Sequence, residues 1–106
     1  MATGTLVEAK AEVFAALGHP TRLAIVEMLA HSEYCVAELV EEFGDSQATI
    51  SRHLEVLLGA GIVRRRKEGA RMVYELAMPC LLKAVPCVVQ ALRNKTAAKR
   101  TGPGGE

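Results

Sequence analysis

Apolar residues recur at three- and four-residue spacing through the N-terminal half of the chain, which is the pattern of amphipathic helices packed on one core. The first such helix is predicted over residues 6–17. A second begins at Pro20, because a proline in the first turn of a helix loses no hydrogen bond. A short third helix ends at Gly44, and Asp45 or Ser46 can cap a fourth through a side-chain oxygen. Four consecutive helices are therefore expected.

The fourth helix has two unlike faces. Ile50, Leu54 and Leu57 fall within about 60° of one another on a helical wheel, so they form its core face. Short or polar residues occupy the opposite side, and these are Ala48, Thr49, Ser51 and Arg52. Such a side leaves a surface that another rod-shaped molecule can approach.

The apolar period changes to two between residues 62 and 77, where Glu68-Gly69-Ala70 separates two runs. This pattern predicts a β-hairpin. The hairpin carries a cluster of cations, namely Arg64, Arg65, Arg66, Lys67 and Arg71. Residues 33–51 instead hold five acids and no Lys or Arg, while the whole chain has a net charge of only +1. The charge is thus segregated rather than in excess.

The last predicted helix opens at Pro79, runs to Arg93 and is apolar almost all round. A helix of this kind must be buried, and a second copy of the chain is the simplest cover, so we expect a two-fold homodimer. The expected interface residues are Leu6, Leu81, Val85, Val88 and Leu92. Residues 1–5 are predicted to be flexible, residues 6–93 to form one domain, and residues 94–106 to be a disordered tail.

Length and composition exclude several classes of protein. A chain of 106 residues is long enough for one modest core. Its three cysteines cannot pair off within one chain, which favours a reducing, cytoplasmic location. We expect no membrane span and no permanently bound cofactor. We also expect no enzymatic activity, since the chain lacks a CxxC motif, a nucleophile elbow and a phosphate-binding glycine loop.

Two helices joined by a short turn and followed at once by a basic hairpin form the layout of a winged helix-turn-helix. A helix with a short-sided outer face fits the major groove of double-stranded DNA, and the hairpin cations lie where phosphates pass. The alternative is a solvated strand face beside an ordinary helix pair. A module that only dimerises would not need the basic run at residues 64–67, so a DNA operator is the expected partner.

The strings "ALGHPTRLAIVEML" and "SQATISRHLEVLLGAGIVRRRKEGARMVYEL" resemble the ArsR/SmtB family of metal- and stress-responsive bacterial repressors, over roughly residues 6–93. The resemblance implies α-α-α-α-β-β-α subunits whose homodimer covers a promoter palindrome until an inducer binds. It also implies a wing at residues 64–71. The recognition-helix positions that it implies are Gln47, Thr49, Ser51, Arg52 and His53. His19 departs from the family, which often has Asp, Asn or Ser before the proline, so the cap of the second helix is in question.

The inducer must be argued from this chain's own side chains. The zinc-sensing variety uses Asp, His and Glu on the last helix, and this last helix has none of them. Cys35 in "EYCVAEL" resembles the arsenic-sensing branch, whose third helix begins with a Cys-Val-Cys-Asp-Leu string, although Ala37 replaces the second cysteine. Cys80 and Cys87 can supply further thiolates for As(III) or Sb(III).

Geometry limits how these thiols combine. Residues seven apart on a straight helix have Cα atoms about 10.5 Å apart, beyond the reach of one ion or of a disulfide. Either the helix is broken near Pro86, or Cys80 or Cys87 joins Cys35 across the fold. Other possibilities stay open at this point: a Cd(II) or Pb(II) sensor, a sensor of oxidants or reactive sulfur, and cysteines that serve only as small core residues.

Overall fold

The predicted order of helices and hairpin is confirmed, with one short strand added. The computed structural model describes the backbone of residues 2–101 and, within it, the side chains of residues 5–97. The elements are α1 (Ala2–Leu17), α2 (Pro20–Leu29), β1 (Tyr34–Cys35), α3 (Val36–Phe43), α4 (Gln47–Gly59), β2 (Val63–Glu68), β3 (Arg71–Leu76), a 3₁₀ helix (Pro79–Ala84) and α5 (Val85–Thr101). The described chain is therefore mainly helical, with a small antiparallel sheet. None of its helices combines the length and apolarity that crossing a membrane requires.

Side-chain caps fix where the helices begin. His19 does cap α2, because its Nδ1 accepts a hydrogen bond from the Thr21 N–H at 3.1 Å. Ser46 rather than Asp45 caps α4, since its hydroxyl oxygen accepts from the Thr49 N–H at 3.1 Å. Before it, α3 ends at Gly44 in the left-handed conformation, at φ 76°. These caps set the sharp turn between α3 and α4.

Helix α4 lies at the centre of the fold and packs against α1, α2, α3 and β2. Its predicted core face is confirmed: Ile50, Leu54 and Leu57 are completely buried. Buried residues of the neighbouring elements complete the core, and these include Ile25, Val26, Leu39 and Ile62. The core therefore holds α4 firmly while its opposite side faces outward.

The predicted hairpin is present, and it gains a third strand. Glu68 pairs with Arg71, so the turn consists of Gly69 and Ala70, and Gly69 takes the positive φ of 65° that the first turn position of a type II′ turn requires. Strand β1 pairs with the other edge of β3, with Cys35 opposite Val73. Two residues are too few to show a period of two, so sequence patterning missed β1.

The single last helix that the sequence predicted is two segments in the structure. A 3₁₀ helix covers Pro79–Ala84, and α5 starts at Val85. Pro86 explains the break, because within a continuous helix it could not donate a hydrogen bond to the Leu82 carbonyl and its ring would clash with that group. In the first turn of α5 no such hydrogen bond is needed and no such clash arises.

Both terminal helices extend further than expected. Helix α1 begins at Ala2, within the segment predicted to be flexible, and α5 continues to Thr101, within the predicted disordered tail. The tail's Ala, Lys and Arg residues favour helix, and cations are favourable at a helix C-terminus. The Gln90 amide also donates to Asn94 Oδ1 at 3.1 Å. Residue 1 and residues 102–106 lie outside the described part of the chain.

Candidate nucleic-acid interface

The first two turns of α4 present the outer face that the sequence predicted. Gln47, Ala48 and Arg52 are exposed, while Thr49 and Ser51 are half-buried. Arg52 forms no ion pair with any side chain that the structure describes. An unpaired guanidinium beside small side chains can reach a base edge without steric obstruction.

His53, also predicted to contact DNA, does not lie on this exposed face. Its side chain is buried, its ring centroid lies 4.5 Å from that of His19, and its Nδ1 lies 3.4 Å from a guanidinium nitrogen of Arg22. Burial lowers the pKa of His53, and the neighbouring charges of His19 and Arg22 lower it further. The family motif suggested an exposed residue, whereas at 100° per residue His53 lies only about 40° from Leu57 and about 60° from Ile50, on the edge of the core face.

The wing is basic in sequence but largely neutralised in the structure. Every wing arginine lies within 4 Å of a carboxylate, and the pairs are Arg64–Glu75 at 2.7 Å, Arg65–Glu55 at 3.1 Å, Arg66–Glu33 at 2.7 Å and Arg71–Glu38 at 3.8 Å. Lys67 is exposed and has no carboxylate partner among the described side chains. Sequence patterning missed these pairs because Glu33 and Glu38 approach the wing only through the fold.

Cys35 lies at the junction between the helix-turn-helix and the wing. It is buried, it ends β1 and directly precedes α3, and its backbone N–H donates to Glu38 Oε1 at 2.9 Å. This N–H lowers the pKa of the Glu38 carboxyl, with further lowering from the Cys35 thiol and from Arg71. The backbone of Cys35 therefore holds a carboxylate that also reaches toward the wing, where Arg71 lies 3.8 Å from it.

The other two cysteines belong to different elements of the fold from Cys35. Cys80 in the 3₁₀ helix and Cys87 in α5 are exposed, and all three thiols are free. Among the described residues of one chain, no three His, Cys, Asp or Glu side chains converge on a point that could hold a metal ion. The three predicted thiol ligands are thus not brought together within a single chain.

An apolar surface runs along α1 and α5. Of the predicted interface residues, Leu6, Val88 and Leu92 are more than half exposed, while Leu81 and Val85 are half-buried. Four of them line a groove of about 340 Å³ together with residues of α1 and α2, namely Leu81, Val85, Val88 and Leu92. Phe14 of α1 is 64% exposed and lines the same groove.

A helix-turn-helix whose second helix is exposed on its outer side, followed by a two-stranded wing, defines a winged helix-turn-helix DNA-binding regulator. The sequence profile described as "Bacterial regulatory protein, arsR family" matches residues 19–65. MJ1325 of Methanocaldococcus jannaschii, an uncharacterized HTH-type transcriptional regulator, is 47% identical over 68 residues, which are 63% of this chain and 76% of that protein. The chain belongs to the ArsR family of transcriptional regulators.

Other relatives agree with this placement. The arsenical resistance operon repressor of Staphylococcus xylosus is 38% identical over 60 residues, which are 57% of this chain and 58% of that protein. The crystal structure of Mycobacterium tuberculosis Rv0081 matches with a TM-score of 0.77 and 31% identity, over 91% of this chain and 97% of that one. The homodimeric winged helix-turn-helix DNA-binding domain Mb0332 of Mycobacterium bovis matches with a TM-score of 0.75 and 28% identity, over 91% and 88% of the two chains.

Proposed function

We propose that this regulator is a homodimeric repressor that binds a palindromic operator and is released when a thiophilic inducer, As(III) or Sb(III), binds the Cys35 thiolate. The observation that carries the proposal is the position of Cys35. It directly precedes α3, the first helix of the helix-turn-helix, and it pairs with β3 of the wing. A ligand at this residue acts on both DNA-contacting units at once.

The contacts of Cys35 supply a physical route from inducer to DNA. A soft ion that binds the Cys35 thiolate draws this residue toward the ion's other ligands. Because the Cys35 N–H and Arg71 both hold the Glu38 carboxylate, displacement of Cys35 loosens the start of α3 and one ion pair of the wing. The orientation of α4 relative to the wing then no longer matches the operator.

One thiolate is too few for a pyramidal As(III) site, so Cys35 needs partners. Cys35 pairs with Val73 of β3, and Cys80 follows the end of that strand by four residues. We therefore take Cys80 as the second donor. Cys87 lies further along the chain, on α5, and is the third candidate.

The proposed homodimer rests on the apolar surface of α1 and α5, which a second copy would cover, and on the homodimeric state of Mb0332. A two-fold dimer presents its two recognition helices symmetrically, which is why a palindrome is the expected operator.

A second chemistry has its own support. Cys80 and Cys87 are exposed, so an oxidant or a reactive sulfur species can reach them, whereas Cys35 is buried. Cd(II) or Pb(II) would use the same thiolates as As(III). Both alternatives keep the fold and the DNA interface and change only the inducer.

The test begins by selecting duplexes from a random library with the wild-type protein. Release of the selected duplex is then followed by fluorescence anisotropy with arsenite, antimonite, cadmium, zinc, persulfide and peroxide in parallel. Cys35→Ser should keep wild-type affinity and lose the response to arsenite, because serine keeps the size but removes the soft donor. Release of Cys35→Ser by arsenite at wild-type concentrations would contradict the assignment. Release by peroxide or persulfide alone would favour the second chemistry.

A further inference from the structure

The basic run of the wing is divided by the pleat of β2. Successive side chains of a strand point to opposite faces, and directly paired residues of neighbouring strands share a face. Arg64 and Arg66 therefore share one face of the hairpin with Glu75, and Arg65 and Lys67 share the other. The two faces have different electrostatic surroundings.

On the face that carries Arg64 and Arg66, both arginines form ion pairs with carboxylates. The Arg66 guanidinium donates to both oxygens of Glu33, at 2.7 and 2.9 Å, and also reaches Glu68 at 3.3 Å and Glu75 at 3.2 Å. A forked contact of this kind is the strongest geometry for an arginine and a carboxylate. Glu33 lies just before β1, outside the hairpin, so Arg66 ties the wing to the segment that leads into Cys35.

The opposite face is turned toward the recognition helix. Arg65 on this face donates to Glu55 of α4 at 3.1 Å. Lys67 lies on the same face, one residue further toward the turn than Arg66, and is exposed. Within the set of side chains that the structure describes, residues 5–97, no carboxylate pairs with its ammonium group.

We infer that these two cations have different roles in DNA binding: Arg66 is a positioning residue that clasps the wing to Glu33, and Lys67 is the wing cation that contacts a phosphate. The inference rests on the proposed DNA-binding function. A phosphate that approached Arg66 would meet three carboxylates already bound to it, whereas a phosphate that approached Lys67 would meet none. Sequence patterning treated the two cations as equivalent.

Replacing the partner of Arg66 tests the clasp. Glu33→Gln removes the carboxylate and leaves every wing cation in place. If Arg66 is a clasp, binding of the selected duplex weakens about threefold, as expected for an exposed ion pair, and NMR relaxation shows faster motion of the β2 amides. If Arg66 contacts phosphate, Glu33→Gln frees it and binding tightens, which would overturn the inference. Glu12→Gln removes the same charge from α1, where no described ion pair exists, and should leave affinity unchanged.

Salt dependence separates the two cations. Each lost phosphate contact reduces the slope of log K against log salt by about 0.9. Lys67→Ala should therefore flatten the slope by about 0.9 for each wing, whereas Arg66→Ala should lower affinity at every salt concentration and leave the slope unchanged. The double variant Glu33→Gln/Arg66→Ala should bind no more weakly than Arg66→Ala. A slope reduced by Arg66→Ala but not by Lys67→Ala would reverse the roles. Wild-type binding to the selected duplex tests the proposed function separately.

Discussion

Val88→Asp tests whether the apolar surface of α1 and α5 is the dimer interface. Val88 is 53% exposed in the single chain and lies in the groove beside Leu92 and Phe14. Covering the exposed half of such a side chain is worth about 1 kcal/mol. In a two-fold dimer this contribution is lost twice, once for each copy.

The introduced carboxylate adds a larger penalty. Burying an unpaired polar or charged group costs at least about 2 kcal/mol per copy. The two terms together amount to at least about 6 kcal/mol for the dimer, and at 1.4 kcal/mol per decade this raises the dissociation constant about four powers of ten. A dimer that forms at micromolar concentration is then a monomer at any practical concentration.

Sedimentation velocity over a range of protein concentrations is the assay. The wild-type chain should sediment as a dimer at micromolar concentration, and Val88→Asp as a monomer with an unchanged circular dichroism spectrum. Gln90→Asp is the matched control, because it puts the same charge on α5 about 200° away around the helix, outside the groove. A wild-type monomer at micromolar concentration, or a Val88→Asp dimer, would refute the reasoning.

Three further predictions concern single side chains. Arg52→Ala should weaken DNA binding by about 1 to 3 kcal/mol and relax base preference at one position of each half-site. A binding screen of single-base operator variants measures this preference, and an equal loss of affinity on all sequences would contradict a base contact. Leu54→Ala should lower the free energy of unfolding by about 2 to 5 kcal/mol, measured by urea denaturation, since Leu54 is completely buried. The pKa of His53 is lowered in the folded chain, mainly by burial, so its contribution to stability is full above the unfolded pKa of about 6.5 and is lost as the pH falls below it. Urea midpoints at pH 7 and 5 should show this loss, and His53→Gln should reduce it; an identical pH dependence in the variant would contradict the assignment.

The sequence predicted the fold well where a regular pattern spans many residues. The 3.6-residue period of α4 placed Ile50, Leu54 and Leu57 in the core correctly, and the Gly69 turn signal placed the hairpin. Features that depend on short or distant segments escaped it. Strand β1 has only two residues, and the clasp on Arg66 comes from Glu33, which lies 33 residues away in the sequence.

The candidate site shows the same division. The outer face of α4 was predictable because helical position determines which side chains point away from the core. The burial of His53 was missed because a motif was followed instead of its helical position about 40° from Leu57. Which wing cations are free to bind DNA could not be predicted, since it depends on ion pairs formed between separate elements.

The most direct test of the proposed regulator is arsenite titration of a preformed complex between the protein and its selected duplex, followed by fluorescence anisotropy. The wild-type protein should release the duplex at a stoichiometric amount of arsenite. The variant with Cys35, Cys80 and Cys87 all replaced by serine should bind the duplex equally well and retain it at every arsenite concentration. Release of this triple variant over the same arsenite range as the wild type would contradict the account and return the cysteines to a purely structural role.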